Sequence, residues 1–245
     1  MPIIYLSPST QEWNQYIIGG TEEYYMNLIA DAMIPYLRSS GIQYVRNTPD
    51  MTAASSIRAS NAGNFDLHVA LHSNASPESM AGQRQGAEVY YSANSVNGKR
   101  AADIIANNLK KIYPKPELVR ALTTDYLGEV LKTRAPAVLI EFAYHDNYQD
   151  AQWIKNHIQA IAENVVLSLT EYFDIPFIPP QIPVVGIVTT QDTPLNIRSR
   201  PDVNSPIVGK VYKGQTVVIF GTWNDWYVIE ADGITGYANR NYITL

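Results

Sequence analysis

Three residues with side chains able to bind a cation or move a proton lie where apolar runs end. His72 closes the run Leu67-His68-Val69-Ala70-Leu71-His72, and Glu141 closes Val138-Leu139-Ile140-Glu141. Glu23 falls in the first turn of a helix for which Thr21 is a natural cap. Taken singly, each has a plain structural role: a hydrogen-bonded histidine at a strand end, a carboxylate at the positive end of a helix, or a glutamate paired with a nearby base. Taken together they fall on one rim, and that convergence favours a site. The chain has no cysteine, which excludes thiolate nucleophiles, disulfides and Cys-type zinc sites, so any metal must be held by His, Asp or Glu.

The elements that position these residues alternate. Strands are expected over Ile3 to Leu6, Ile42 to Val45, Asp66 to His72, Ala87 to Tyr91 and Ala137 to Glu141. Helices are expected from Thr21 to about Arg38, stopped by Gly41, then over Ala53 to Ala62, Gly98 to Lys111 and Tyr148 to Phe173. This order predicts an α/β fold, a mostly parallel sheet with helices on both faces and function at the carboxyl ends of the strands. The proline-rich stretch at 178–184 reads as a linker between a domain over 1–177 and a second over 185–245. The second part has short strands separated by glycine turns, the pattern of a small all-β barrel.

Composition narrows the classes. A net charge of −5, with no basic stripe, argues against nucleic-acid binding. With 46% hydrophobic and 17% charged residues, the chain reads as globular, with no membrane span. The start at Met1-Pro2-Ile3-Ile4-Tyr5 shows no signal peptide, so a location outside the cell or in the wall requires lysis, as for an endolysin, or another export route.

The segments Ile3 to Pro8, Glu23 to Leu28, Asp66 to Ala75, Gly86 to Tyr91 and Arg134 to Glu141 resemble, in order and spacing, the zinc-dependent N-acetylmuramoyl-L-alanine amidases. The resemblance implies a zinc hydrolase that cuts the amide between N-acetylmuramic acid and L-alanine in peptidoglycan. Glu23 and His72 become zinc ligands and Glu141 the catalytic carboxylate. One ligand departs from the pattern: Ser7-Pro8-Ser9-Thr10 stands where the family carries its first histidine. A hydrolytic zinc usually needs three protein ligands and an open position. Glu12 ranks first as the replacement, His145 second, and His68 last, because four residues of strand put it about 13 Å from His72. Glu22 is a possible exchange for Glu23.

The terminal segment resembles bacterial SH3-like domains through Leu195-Asn196-Ile197-Arg198-Ser199-Arg200-Pro201, Trp226-Tyr227-Val228 and Gly236-Tyr237-Ala238. Such a module would tether the hydrolase to the wall, with Trp223, Trp226, Tyr227, Tyr237 and Tyr242 divided between core and binding surface. Two further readings stay open: another zinc hydrolase acting on wall peptides, and a degenerate, wall-binding domain whose metal site is disabled.

Overall fold

The computed structural model describes all 245 residues, which form two compact units. One comprises Ile4–Met33 and Tyr44–Tyr172; the other comprises Met1–Ile3, Ile34–Gln43 and Phe173–Leu245. Up to residue 173 the elements are β1 (Ile3–Pro8), α1 (Glu22–Ser39), β2 (Gln43–Arg46), α2 (Ala53–Ala62), β3 (Leu67–Asn74) and β4 (Glu88–Ser92). They continue with α3 (Val96–Leu109), β5 (Arg120–Thr124), α4 (Gly128–Leu131), β6 (Ala137–Tyr144), α5 (Tyr148–Asn156) and α6 (Ile158–Phe173).

The six strands form one sheet in the order β2-β1-β3-β6-β4-β5. The pairs β1/β3, β3/β6 and β4/β5 are parallel, while β4 runs antiparallel to β6, so the sheet is mostly parallel as expected. The central strands β3 and β6 are covered on both faces, which is why they read as near-continuous apolar runs. Register then sorts their side chains into rows. His72 pairs with Glu141, and Glu141 with Glu88, so one row crosses three strands. One row down are Ser7, Ala70, Leu139 and Tyr90, and below that Tyr5, His68 and Ala137. Alternation along each strand puts these rows on the same face.

Gly41 ends α1 at φ +73°, a left-handed position suited to glycine, and the Ile42 N–H bonds back to the Leu37 carbonyl at 2.8 Å. The long helix expected from Tyr148 to Phe173 instead breaks at His157, whose backbone leaves the helical region (φ −123°, ψ 23°). The ring Nδ1 of His157 takes the Trp153 carbonyl at 2.8 Å, the acceptor a continuing helix would use for its own N–H. β5 and the single turn of α4 are absent from the sequence reading. Neither carries enough apolar periodicity to register.

The second unit carries β7 (Val184–Val188), β8 (Leu195–Arg198), β9 (Ile207–Val211), β10 (Thr216–Trp223), β11 (Trp226–Ala231), β12 (Ile234–Asn239) and β13 (Ile243–Thr244). They form an antiparallel sheet in the order β13-β7-β10-β11-β12-β8-β9 around Val188, Ile197, Val217, Ile219, Ile229 and Ala238. Gly236 allows β12 and β8 to approach, since a Cβ there would lie 2.4 Å from Ile197 Cγ2. The proline-rich stretch is anchored at its start: the Ile178 N–H donates to Ser40 Oγ at 3.0 Å, and Ile178 itself is buried. Of the five aromatics expected to divide between core and surface, Tyr237 is buried with its hydroxyl on the Ser40 carbonyl, Trp226 and Tyr227 are half-buried, and Trp223 and Tyr242 are exposed. No helix in the chain is long and apolar enough to cross a membrane.

Candidate active site

The site forms where the row His72–Glu141–Glu88 meets the start of α1. Thr21 Oγ1 accepts the Tyr24 N–H at 3.1 Å, fixing the first turn of the helix as the sequence suggested. Neighbouring positions on a turn point about 100° apart, so only one of the paired glutamates can face the sheet. That one is Glu22. Its Oε1 lies 2.8 Å from His72 Nδ1, and its Oε2 accepts from Asn14 Nδ2 at 2.6 Å. Glu23, the residue expected there, turns instead to Asn27, whose side-chain amide it accepts at 2.9 Å.

The other ring nitrogen of His72 is held as well. Nε2 lies 3.1 Å from Glu129 Oε2, while Glu129 Oε1 accepts from Ser7 Oγ at 2.5 Å and faces His68 Nε2 at 3.2 Å. His68 and His72 therefore share a carboxylate, with His68 pinned on its far side by Ser60 Oγ at 3.0 Å and stacked on Tyr5. Glu12 is exposed on the loop after β1 and is not paired with His72. His145 is buried, but its Nδ1 faces the Ser73 carbonyl and hydroxyl at 2.9 and 3.0 Å and its ring stacks on Tyr16. The further polar group that comes to His72 is an amide: Gln11 Nε2 lies 3.4 Å from Nδ1, the nitrogen that Glu22 also faces.

Electrostatics follow from this packing. Burial works against charge on His72, but Glu129 and Glu22 outweigh it and raise the imidazole well above its ordinary pKa. Burial pushes Glu22 and Glu129 upward, and the histidines they face more than reverse the effect, leaving both carboxyls lowered. Glu141 differs. Its Oε2 is buried without a hydrogen-bond partner. Burial, opposed by His72 and reinforced by the negative Glu22 and Glu88, pushes its carboxyl up to about 8. Glu88 is itself satisfied by Arg120, Tyr90 and Asn74, at 2.7, 2.7 and 3.2 Å. The row thus places an unsatisfied proton acceptor beside a histidine, an arrangement suited to moving a proton near neutral pH.

Residues 12–171 match the family model described as N-acetylmuramoyl-L-alanine amidase, which covers well over half of the chain. The chain belongs to the N-acetylmuramoyl-L-alanine amidase family. Residues 193–244 match a second model, the bacterial SH3 domain. Among solved structures, the amidase fold is shared with an N-acetylmuramoyl-L-alanine amidase of Nostoc punctiforme, at 16% identity and a TM-score of 0.62, over 71% of this chain and 97% of that one. It is also shared with the catalytic domain of an amidase from Bacillus (Paenibacillus) polymyxa, at 19% identity and TM-score 0.59, over 72% of this chain and 100% of that one. A third is the catalytic domain of an endolysin targeting Clostridia difficile, at 23% identity and TM-score 0.56, over 70% and 97% of the two chains. No curated protein matches the sequence.

Within the amidase domain, a cavity of about 260 Å³ opens beside His72, lined among others by Ser7, Gln11, Trp13, Met51 and Glu129. Sequence reasoning missed Gln11 because it lies in an irregular loop, where spacing carries no direction. It missed Glu129 because the residue lies in the short apolar run Tyr126-Leu127-Gly128-Glu129-Val130-Leu131, where a lone carboxylate reads as solvent-facing.

The raised carboxyl of Glu141 gives the amidase a pH signature in its metal-free form. A carboxyl whose folded pKa, about 8, exceeds its ordinary value of 4.5 contributes stability that is intact below the lower value and lost as pH rises through the higher one. Glu141→Gln removes that loss. Thermal melts of metal-free protein should show wild type and variant close together near about pH 5. Near about pH 9 the variant should be the more stable by an amount on the order of a few kcal/mol. A constant gap across that range would contradict the buried-acid description.

Proposed function

We propose that this chain hydrolyses the amide joining the lactyl group of N-acetylmuramic acid to L-alanine in peptidoglycan, with a divalent cation, zinc, at Glu22 and His72 and with Glu141 as the proton carrier. One observation carries the reading: Glu22 Oε1 and His72 Nδ1 converge within 2.8 Å of each other, in the row that also holds the unpartnered Glu141 carboxylate. The donors fit a cation in type and in support, since the outer nitrogen of His72 is held by a carboxylate, as metal-bound histidines commonly are. They fall short in number. No group of three His, Cys, Asp or Glu side chains is arranged to hold a metal ion. The Gln11 amide, on the same side of His72 as Glu22, is the group in reach that completes the set once its oxygen is turned inward.

When bound, the cation polarises the scissile carbonyl and acidifies a water molecule. Glu141 takes a proton from the attacking water and returns it to the leaving amine of L-alanine, tasks suited to a group that titrates near neutrality. A histidine must be neutral to hold a cation, so affinity rises with pH. Glu88, held by Arg120, keeps negative charge beside Glu141. The bacterial SH3 domain holds the enzyme on the wall, raising the local concentration of the catalytic domain at its polymeric substrate. The enzyme acts at the wall, outside the cytoplasm.

The shortfall in acidic and imidazole donors has a measurable consequence. Gln11→His supplies an imidazole where the wild type offers only an amide, and should tighten zinc binding by about 10-fold or more, measured by competition with a chromophoric chelator. Unchanged affinity would place the third donor elsewhere. The same shortfall is what favours a second reading, a wall-binding domain without catalysis. Mass spectrometry of wall digested by the purified protein separates the readings. The amidase reading expects free stem peptides beginning with L-alanine and intact glycan strands; cleavage between amino acids, or no release, overturns it.

A further inference from the structure

The bacterial SH3 domain holds a cleft of its own, about 550 Å³ in volume and so inside the ~300–1,000 Å³ range of small-molecule sites. It is lined by the loop that joins β7 to β8 and by the turn that follows β12. The main chain holds these two together, since the Thr189 N–H donates to the Tyr242 carbonyl at 2.9 Å. Trp226 pairs with Asn239 across β11 and β12, so both side chains rise from one face, and Trp226 packs against Ile178, Val228 and Tyr237. Asn196 stands on the outer face of β8, whose Leu195 and Ile197 enter the core. The cleft is therefore built on fixed elements, with an aromatic ring and two amides along it.

Its chemistry narrows the ligand. Asn239 uses its oxygen on the Asn241 N–H at 3.0 Å, which leaves its amide hydrogens for a ligand. Thr190, in the lining at only 7% exposure, has a hydroxyl with no hydrogen-bond partner. The lining carries one acid, Asp192, and one base, Arg198, whose Nη1 is held by the Ser205 carbonyl at 2.7 Å; the charges cancel, which suits an uncharged ligand. The strands β8, β11 and β12 each have a neighbour on both sides, so no strand edge is open there for an extended peptide to join. A sugar ring with an N-acetyl group offers an apolar C–H face for Trp226 and Tyr242, and a rim of hydroxyl and amide groups for Asn196, Asn239 and Thr190. We propose that this cleft binds the neutral N-acetylated sugar units of the glycan strand rather than the stem peptide. This rests on the reading of the SH3 domain as a wall tether and names what the tether grips. Because amide hydrolysis leaves the glycan whole, such a grip outlasts the removal of the stems and keeps the catalytic domain on a strand as it is stripped.

The test uses the full chain, labelled with ¹⁵N, and two soluble probes. One is tetra-N-acetylchitotetraose, a neutral N-acetylglucosamine oligomer; the other is the free stem peptide L-Ala-γ-D-Glu-L-Lys-D-Ala-D-Ala. The sugar is expected to shift the NMR signals of the Trp226 indole and of the Asn196 and Asn239 side-chain amides, and the peptide to leave them in place. Tyr242→Ala and Asn196→Ala, both outside the buried core, should each weaken the sugar's Kd by about 3–10-fold. Cosedimentation with a chelator present then uses the wall itself. Wall stripped of its stem peptides should retain the chain as well as intact wall does, and the double variant should lose most of that retention on both. Signals that move with the peptide and not with the sugar, or with neither, overturn the proposal. Unchanged retention of the folded double variant also overturns it, while leaving the tether standing on another face. Sugar binding in the cleft of a chain that intact wall does not retain supports the site and overturns the tethering reading instead.

Discussion

Glu22→Ala is expected to abolish zinc uptake and wall hydrolysis, while Glu23→Ala leaves both near wild type. The two residues are adjacent and chemically identical, so composition and net charge change equally and only position differs. Glu22 is buried with one carboxylate oxygen on His72 Nδ1 and the other on Asn14, whereas Glu23 is half-buried against Asn27. Outer partners of metal ligands alone are worth about 10–100-fold in affinity, so removal of a direct donor from a set already short of acidic and imidazole groups should cost well over about a hundredfold. Chelator competition and metal content after dialysis measure it. Equal losses from the two variants would mean that the first turn of α1 is rotated in the working enzyme, and with it the site.

The second large effect falls on Glu141. Glu141→Gln should lower kcat by about 10²–10⁴-fold, the range for loss of a positioned general acid–base, with zinc content and wall binding unchanged. Its carboxylate lies across one strand pairing from His72 and has an oxygen that nothing else in the protein satisfies. A buried acceptor without a partner costs free energy in the resting protein, and a reacting water would supply the missing hydrogen bond. A parallel fall in zinc content would recast Glu141 as a ligand rather than a proton carrier. Activity at the wild-type level would remove it from the chemistry altogether.

The residues legible in the sequence were those that regular structure places. His72 and Glu141 stand out because β3 and β6 are buried on both faces, and a polar residue within such a strand has to find a partner. The alternation that announced the sheet is the same physics, apolar strands covered by helices. The legible part ends where placement depends on a rotation of about 100° or on a loop. Glu22 and Glu23 share every sequence property used to find them, and only the orientation of the first turn, set by Thr21, separates them. Gln11 lies in an irregular loop after β1, where spacing carries no direction. Glu129 owes its position to a four-residue helix held by Ala70 and Leu139, contacts between residues about sixty and ten positions away that no local pattern encodes. The estimate of about 13 Å between His68 and His72 kept them from being read as a ligand pair, and the carboxylate that spans both was invisible from either.

The central claim is that one divalent cation sits between Glu22 and His72, beside Glu141. Anomalous diffraction at the zinc edge, from crystals grown with equimolar zinc, addresses it directly. The account predicts a single strong peak within bonding distance of His72 Nδ1 and the Glu22 carboxylate, with Glu129 still on Nε2. A peak on the Nε2 side, or full zinc occupancy elsewhere in the chain with Glu22 and His72 still bonded to each other, would contradict it.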